Sequence, residues 1–466
     1  MKITFYGAAQ TVTGSKHLLE TQGSRILLDC GLQQGEHTGG DPEHQTLPFD
    51  AKTIDCVILS HAHADHCGML PILVKNGFKG KIYCTGATAD IAKFILIDSA
   101  MVQSMDSKYA QNHPGIPSPG VMYTKEEAEN IFQYFEIVPY FRLTGQWTQI
   151  NDRIRFKFYD AGHILGSAIT YLEIKENDTI RGLAYTGDIG QPGAPILHDP
   201  EPVQENSDVL ISEATYGGTK HKPLSDAAGQ LREVIDFAIK NRGKIIIPAF
   251  ALGRTQELVY ILHDLTDRKI VQDIPIFVDS PLALNISEVF AKHEEDFDAE
   301  TDQDFFSKNE LPLAFKNLQY IHTVEESKAL NTRPGPFIII SSSGMMEGGR
   351  ILHHLKNNIE DPKNTILITG YQAEGTLGRK IHHGESPIQI LGSSLNIRAR
   401  VITMNEFSAH GDQDFLKDYI KNIQGLKNLF LVHTELPQAE ALKEILEQGH
   451  PDFKITIPKL LESFEV

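Results

Sequence analysis

The chain of 466 residues carries 43 basic against 61 acidic side chains, a net charge of −18, with 41% hydrophobic and 22% charged residues. That length exceeds one ordinary hydrophobic core and predicts two domains, in a composition typical of soluble globular proteins. The acidic balance argues against a surface coated for nucleic-acid phosphates, yet whole-chain charge does not report on one cleft.

Local charge varies widely. Residues 294–304 alone hold seven acids, a solvated surface, whereas residues 331–410 hold eight Lys/Arg, six Asp/Glu and five His. A metal site would also bring positive charge of its own. The opening Met1-Lys2-Ile3-Thr4-Phe5-Tyr6-Gly7 reads as a first strand and lacks the apolar core of a signal peptide. No apolar run reaches the length of a membrane span, so no membrane partner is expected. Cys30, Cys56, Cys67 and Cys84 form no CxxC pair. They read as thiols in a reducing compartment, which points to the cytoplasm.

In chain order, strands are predicted at 2–6, 17–20 and 25–28, the last closing on Asp29-Cys30-Gly31. On its own Asp29 fits a turn residue, but its apolar approach, Ile26-Leu27-Leu28, suggests a carboxylate that points into a strand-end cluster. The apolar run Cys56-Val57-Ile58-Leu59 reads as a short buried strand. It delivers His61-Ala62-His63-Ala64-Asp65-His66 onto a loop before a helix, so four metal-capable side chains fall within six residues. Neutral imidazoles and carboxylates are the ligand set that suits zinc in hydrolytic sites.

A strand at 81–84 and a helix at 88–109 follow, then a loop at 112–120 bearing Pro and Gly and a helix at 125–134. Strands at 154–159 and 183–185 lead into His163 and Asp188, repeating the design of an apolar strand with a ligand at its end. Residues 209–213 form another such strand, ending in Glu213. Helices and apolar strands then alternate to about 369, which implies a parallel sheet covered on both faces, inserted between two parts of the first domain. Strand patterns at 400–404 and 429–432 run into His410 and His433.

His61, His63, His163 and Asp188 are placed to hold one metal; Asp65, His66 and His433, sharing Asp188, a second. Two ions a few ångströms apart hold a bridging hydroxide and clamp both oxygens of a displacement at phosphorus. His410 is then left over. It suits a general acid for the leaving oxygen, with Glu213 holding its tautomer, or else a cap before the helix near Gln413. Ser341, Ser342, Ser343 and Gly344 could cradle a substrate phosphate with hydroxyls and backbone N–H groups, and N-capping explains the serines as well. His353, His354, His382 and His383 read as solvated or interface residues.

Through Asp29, the His61-x-His63-x-Asp65-His66 motif, His163 and Asp188, the chain resembles the metallo-β-lactamase superfamily. Glu213, His410 and His433 look like motifs A, B and C of its β-CASP group of nucleic-acid-processing enzymes. The likeness extends to Pro248-Ala249-Phe250-Ala251-Leu252-Gly253-Arg254-Thr255-Gln256-Glu257, to Val278-Asp279-Ser280-Pro281-Leu282-Ala283, and to Ser341-Ser342-Ser343-Gly344-Met345-Met346. It covers essentially the whole chain and is nearest to short bacterial and archaeal relatives of the nuclease subunit of the cleavage and polyadenylation specificity factor.

The resemblance implies an α/β fold: an αββα metallo-β-lactamase sandwich at 1–210 and 396–466, with a β-CASP α/β parallel-sheet domain inserted at 211–395. It further implies two Zn2+ per chain, RNA in the interdomain cleft and hydrolysis of RNA phosphodiester bonds, with endonucleolytic cleavage in RNA processing or decay as the expected mode. A homodimer is compatible with it. The alternatives are a hydrolase of a small phosphodiester or thioester, which a closed cleft would favour, and a catalytically silent RNA-binding partner. Silent members lose ligands, and none is missing here. The chain departs from the pattern at Thr434-Glu435, where relatives usually carry Gly-Glu; this bears on backbone shape beside His433 and leaves the ligand itself in place. It also lacks the N-terminal RNA-binding extension of many archaeal members and the extra C-terminal domain of RNase J-type enzymes, which speaks against 5′ exonuclease action.

Overall fold

The computed structural model describes residues 1–33, 46–112, 120–177, 179–222, 224–304, 313–404, 408–449 and 451–466; most of the loop expected at 112–120 lies outside these. Contacts divide the chain into two compact units. The first comprises Met1–Gly193, His198–Lys220 and His410–Val466; the second comprises Ala194–Leu197 and His221–Ala409.

The first unit is built on two seven-stranded sheets. One runs in the order Ser463–Glu465, Lys2–Phe5, His17–Thr21, Ser24–Leu28, Cys56–Ile58, Lys81–Cys84, Phe135–Ile137. The other runs Lys454–Thr456, Asn428–Val432, Val209–Glu213, Thr179–Tyr185, Ala168–Glu176, Ile154–Asp160, Thr148–Asn151. Ile3, Phe5, Leu28 and Ile58 of the first sheet share one core with Phe158, Leu172, Tyr185, Ile211 and Phe430 of the second. On the far side of the second sheet, Leu210, Leu429 and Leu431 meet Leu416 and Ile420 of helix Gln413–Lys421 and Leu442 and Leu446 of helix Leu436–Gln448. Helix Gly86–Asn112 packs on strand Phe135–Ile137 of the first sheet and on helix Lys125–Asn130. The layers are therefore helix, sheet, sheet, helix. A central strand is buried on both faces, which is why Val209-Leu210-Ile211 reads as an apolar run and not an alternation, and the buried Ser212 and Glu213 that end it are hydrogen-bonded. Each fully buried Leu, Ile or Phe contributes roughly 1.5–3 kcal/mol.

Register brings the functional strand ends to one edge. Leu28 pairs in parallel with Ile58, Tyr185 with Ile211, and Glu213 with Val432. The residues that follow these strands must emerge side by side.

The second unit carries one six-stranded sheet in the order Leu318–Tyr320, Ile276–Asp279, Phe337–Ser341, Lys244–Pro248, Thr365–Ile368, Arg400–Thr403, parallel throughout. Ile246, Ile366 and Ile368 pack against Ile351 and Leu355 of helix Arg350–Asn358. On the other cluster Phe277 and Ile339 meet Leu330 of helix Val324–Thr332. That helix starts with a capping box between Thr323 and Glu326, and helix Pro281–Phe290 starts with Ser280 capping Ala283 N–H behind a proline at its first turn.

Strand Arg400–Thr403, expected from the sequence to belong to the returning first domain, pairs instead with Thr365–Ile368 and closes the edge of the inserted sheet. The insertion thus runs to Ala409, and the stretch from His410 carries the chain back into the first unit. At the other join, strand Val209–Glu213 lies in the first unit's sheet, and the insertion begins after Lys220. Strands Ala168–Glu176 and Thr148–Asn151 complete the second sheet beyond the elements foreseen. Among the described residues, no helix is long and apolar enough to cross a membrane.

Candidate metal centre

All the expected ligands, and the supporting Asp29, lie in the first unit, at or just past strand ends. Asp29 follows Ser24–Leu28, the His61 loop follows Cys56–Ile58, His163 follows Ile154–Asp160, Asp188 follows Thr179–Tyr185 and His433 follows Asn428–Val432. Two of them, Asp29 (φ 59°) and His433 (φ 49°), adopt the left-handed region, which turns the chain sharply off the strand. Gly187 does so too (φ 56°), and a Cβ there would lie 2.5 Å from Ser60 Cβ, so only glycine lets the Asp188 turn close over the histidine loop.

The side chains form two groups. His61, His63, His163 and Asp188 converge: His63 Nδ1 stands 3.0 Å from His61 Nε2 and 3.3 Å from His163 Nε2. Asp188 Oδ2 lies 3.4 Å from His61 Nε2 and 3.5 Å from His163 Nε2. Asp65, His66 and His433 form the second group, with His433 Nε2 3.3 Å from Asp65 Oδ2. The other oxygen of Asp188, Oδ1, faces His66 Nε2 at 3.2 Å. One carboxylate therefore serves both groups, an oxygen to each.

This donor set fits metal ions. Nitrogen and oxygen lone pairs converge in a buried volume, where without a cation they would repel. His66 Nε2 and Asp188 Oδ1 are buried 3.2 Å apart, with no hydrogen bond of good angle. Burial, reinforced by the charge of His66, holds the His61 imidazole well below its usual range, and burial likewise brings His63 down to about 4. Both are thus neutral at physiological pH, the ligating form. Burial would raise Asp188, but His433, His66 and His61 together hold it well below the carboxylate range. His66 goes the other way. Burial would lower it, yet Asp188 and Asp29 hold it well above the imidazole range, so positive charge at its Nε2 is strongly favoured.

Behind the ligands lies a set of fixed supports. Asp29 Oδ2 accepts from His66 Nδ1 at 2.6 Å, from Ser60 Oγ at 2.7 Å and from the Tyr185 hydroxyl at 2.6 Å, and its Oδ1 accepts from Ser60 N–H at 2.7 Å. Ser60 Oγ also stands 3.0 Å from His61 Nδ1. Such partners set which ring nitrogen is left for the metal. Thr434 replaces the expected glycine without cost to the turn: its φ is not among the positive ones, and its hydroxyl donates to Ala214 O at 2.7 Å.

His410 and Glu213 also meet here, 2.9 Å apart between Nδ1 and Oε1. Glu213 is fully buried and further accepts from the N–H of Ile189 at 2.8 Å and of Thr215 at 3.2 Å and from the Thr215 hydroxyl at 2.5 Å. Burial lowers the His410 pKa, but Glu213, followed by Asp188 and Asp65, overrides it and raises the imidazole to about 9. The ring lies 4.5 Å, centroid to centroid, from His163, and its side chain keeps 19% exposure, enough for a substrate to reach it. His410 is no mere helix cap: the first turn of Gln413–Lys421 is capped by Asp412.

Ser341, Ser342, Ser343 and Gly344 lie in the second unit. The hydroxyl of Ser341 donates to Asp279 O at 2.9 Å, that of Ser342 meets Ser280 Oγ at 3.0 Å, and that of Ser343 accepts from the N–H of Glu347 at 3.0 Å and of Gly348 at 3.3 Å. His354, expected to be a solvated or interface residue, is fully buried within the second unit instead. Helix Arg350–Asn358 turns it inward, where its Nε2 donates to Asp279 Oδ2 at 2.6 Å, beside Ser327 Oγ (2.5 Å to the same oxygen) and Arg350 Nη1 (2.6 Å to Oδ1).

Sequence reasoning missed Ser60, Tyr185 and Thr215. Ser60 directly precedes His61, and Thr215 is a polar residue two past Glu213, so adjacency to a strand-end ligand was a usable signal for both. Nothing in the sequence marks Tyr185.

Comparison with known proteins places this geometry in a class. Residues 18–186 match the model of a metallo-β-lactamase superfamily domain, residues 255–381 that of the Beta-Casp domain, and residues 394–458 that of a Zn-dependent metallo-hydrolase RNA specificity domain. The chain belongs to the β-CASP family of the metallo-β-lactamase superfamily, and it is a metal-dependent hydrolase. A ribonuclease of Thermus thermophilus is 35% identical over 96% of both chains. An RNase J-like protein of Methanocaldococcus jannaschii is 36% identical over 94% of this chain and 93% of its own. Among solved structures, a protein of unknown function from Enterococcus faecalis shares the fold with a TM-score of 0.53 at 13% identity, over 99% of both chains.

Proposed function

We propose that this chain is a zinc-dependent ribonuclease that holds two Zn2+ ions and cuts RNA at internal phosphodiester bonds, in RNA processing or decay. The observation that carries the reading is Asp188, whose two oxygens face two separate ligand groups while the Glu213-bound His410 stands beside the first. His61, His63 and His163 would hold one ion with Asp188; Asp65, His66 and His433 would hold the other. Bound there, two such ions supply a water of lowered pKa and offset the charge that develops on phosphorus-bound oxygens.

The chain's own residues do the rest. Asp29 and Ser60 orient His66 and His61. Asp188 keeps the two ligand groups at a fixed separation. His410, held as imidazolium by Glu213, donates the proton at its Nε2 to the departing 3′ oxygen of the RNA. The names of the relatives, ribonuclease and RNase J-like protein, and the match at 394–458 support RNA as the substrate. Ser341–Gly344 is proposed to contact a substrate phosphate through the Ser343 hydroxyl, which accepts from two backbone N–H groups and keeps its own proton to donate. Four buried free cysteines support a reducing, cytoplasmic setting.

The test is direct. Zinc is measured per chain on the purified protein, which is then incubated with RNA labelled either at its 5′ end or internally. Two zinc equivalents and chelator-sensitive internal fragments are expected. Less than one equivalent, with no chelator-sensitive cleavage, sinks the reading; mononucleotides released only from the 5′ end reject the internal mode.

A further inference from the structure

Thr215 occupies a position in the site that its neighbours' roles do not explain. It is buried to 3% exposure, two residues past the strand that ends in Glu213. Its hydroxyl oxygen stands 2.5 Å from Glu213 Oε2, 3.0 Å from the carbonyl of His433 and 3.1 Å from His433 Nδ1. A hydroxyl has one proton and two lone pairs. Two acceptors compete for the proton, and the carboxylate, nearer and the stronger acceptor, takes it. The remaining lone pairs then face His433 Nδ1, where only a donor is attractive. Nδ1 must carry a ring proton, with Asp188 Oδ1 3.6 Å away as a further acceptor, and Nε2, 3.3 Å from Asp65 Oδ2, is left as the nitrogen that shares a cation with that carboxylate.

We infer that Thr215 is a positioning residue that fixes His433 as its Nδ1–H tautomer and so presents Nε2 to the group formed with Asp65 and His66. Glu213 thereby governs two histidines at once: His410 directly through Oε1, and His433 through the Thr215 hydroxyl on Oε2. A hydroxyl is needed for this because it can donate to one partner and accept from the other; a methyl of the same shape can do neither. The consequence for metal binding rests on the two-ion reading above, whereas the tautomer does not.

The experiment compares wild type, Thr215→Val and Thr215→Ser. First, histidine-selective 15N NMR of the metal-free proteins at about pH 8, above the usual histidine range, reads the tautomer of His433, assigned by its loss in His433→Gln. Wild type and Thr215→Ser should show the proton on Nδ1; Thr215→Val should show it shared with Nε2. Second, zinc alone is titrated against a competing chelator. Thr215→Val should bind the weaker of two ions about 10–100-fold less tightly with the tighter one unchanged, and Thr215→Ser should restore it. A wild-type proton on Nε2, or a valine variant with unchanged tautomer and zinc affinity, overturns the inference. Should wild type take up a single zinc ion, the two-ion reading falls, and the NMR comparison still decides the role of Thr215.

Discussion

His66 donates its Nδ1–H to Asp29 Oδ2 across 2.6 Å, and that bond turns the ring's other nitrogen toward Asp188 Oδ1, 3.2 Å away. Asp29 is fully buried, on a left-handed backbone just past the strand that pairs with the one leading to His61. Three donors meet on its one oxygen: His66 Nδ1, Ser60 Oγ and the Tyr185 hydroxyl. The candidate ligands are thus oriented from behind by a carboxylate that belongs to neither ligand group.

Asp29→Asn tests that dependence. An amide placed with its NH2 at Oδ2 would meet three donors with a fourth; turned over, it would clash with the Ser60 N–H. Either way a buried donor is left unpaired, which costs about 1–3 kcal/mol. Zinc affinity should fall by about 10–100-fold. Metal content after dialysis and the urea midpoint check both effects; an Asn variant with full zinc and unaltered stability would show that Asp29 is only a turn residue.

The sharing of Asp188 makes a stoichiometric prediction. His433→Ala removes a ligand from one group only and should leave about one zinc per chain, while Asp188→Ala strips an oxygen from both groups and should leave little of either. Loss of RNA cleavage should be near complete in each, because ions that act as a pair are not additive in their effect. Mass spectrometry under native conditions counts the ions. Equal zinc content in the two variants would contradict a shared carboxylate.

Glu213 gives a prediction in pH. Its charge is the chief cause that lifts the His410 imidazole, to about 9, against the lowering effect of burial. A group raised in this way is protonated below its pKa and loses its proton as pH rises through it, so acid catalysis by His410 must fail on the alkaline side. Glu213→Gln removes the lifting charge, and the falling limb of kcat should move to lower pH. His410→Ala should remove that limb and lower kcat by about 10²–10⁴-fold with zinc content unchanged. A falling limb that stays put in the Gln variant would assign it to another group.

The difference between what was legible in the sequence and what was not follows sequence separation. The histidine loop is legible because its ligands are local, and His163, Asp188, Glu213 and His433 because each ends or follows an apolar strand. The supports are not: Ser60 finds Asp29 across 31 positions, Tyr185 finds it across 156, and Thr215 finds His433 across 218. His354 was misread for the same reason, since its partner Asp279 is 75 positions away. Strand Arg400–Thr403 has a half-buried pattern that suits the edge of either unit's sheet, and only its pairing with Thr365–Ile368 assigns it. Type and boundaries of elements are local properties; the partner of an edge strand is not.

Asp279 closes the second unit's sheet with a buried carboxylate whose environment can be tested apart from the metal centre. Burial would raise its pKa, but hydrogen bonds from His354, Ser327 and Arg350 outweigh it and hold the group below its usual value of 3.8. A carboxyl depressed on folding stabilises the native state fully above its unfolded pKa, and that contribution is lost as pH falls through the lower, folded value. Stability of the second unit should therefore be level from neutral pH down to about 4 and decline below it. Asp279→Asn leaves His354 and Arg350 facing a neutral amide. It should cost about 3 kcal/mol or more at neutral pH, as breaking one side of a buried ion pair does, and should flatten the acid decline. Urea unfolding of both proteins at a series of pH values decides it, and a variant as acid-sensitive as wild type would place the responsible carboxyl elsewhere.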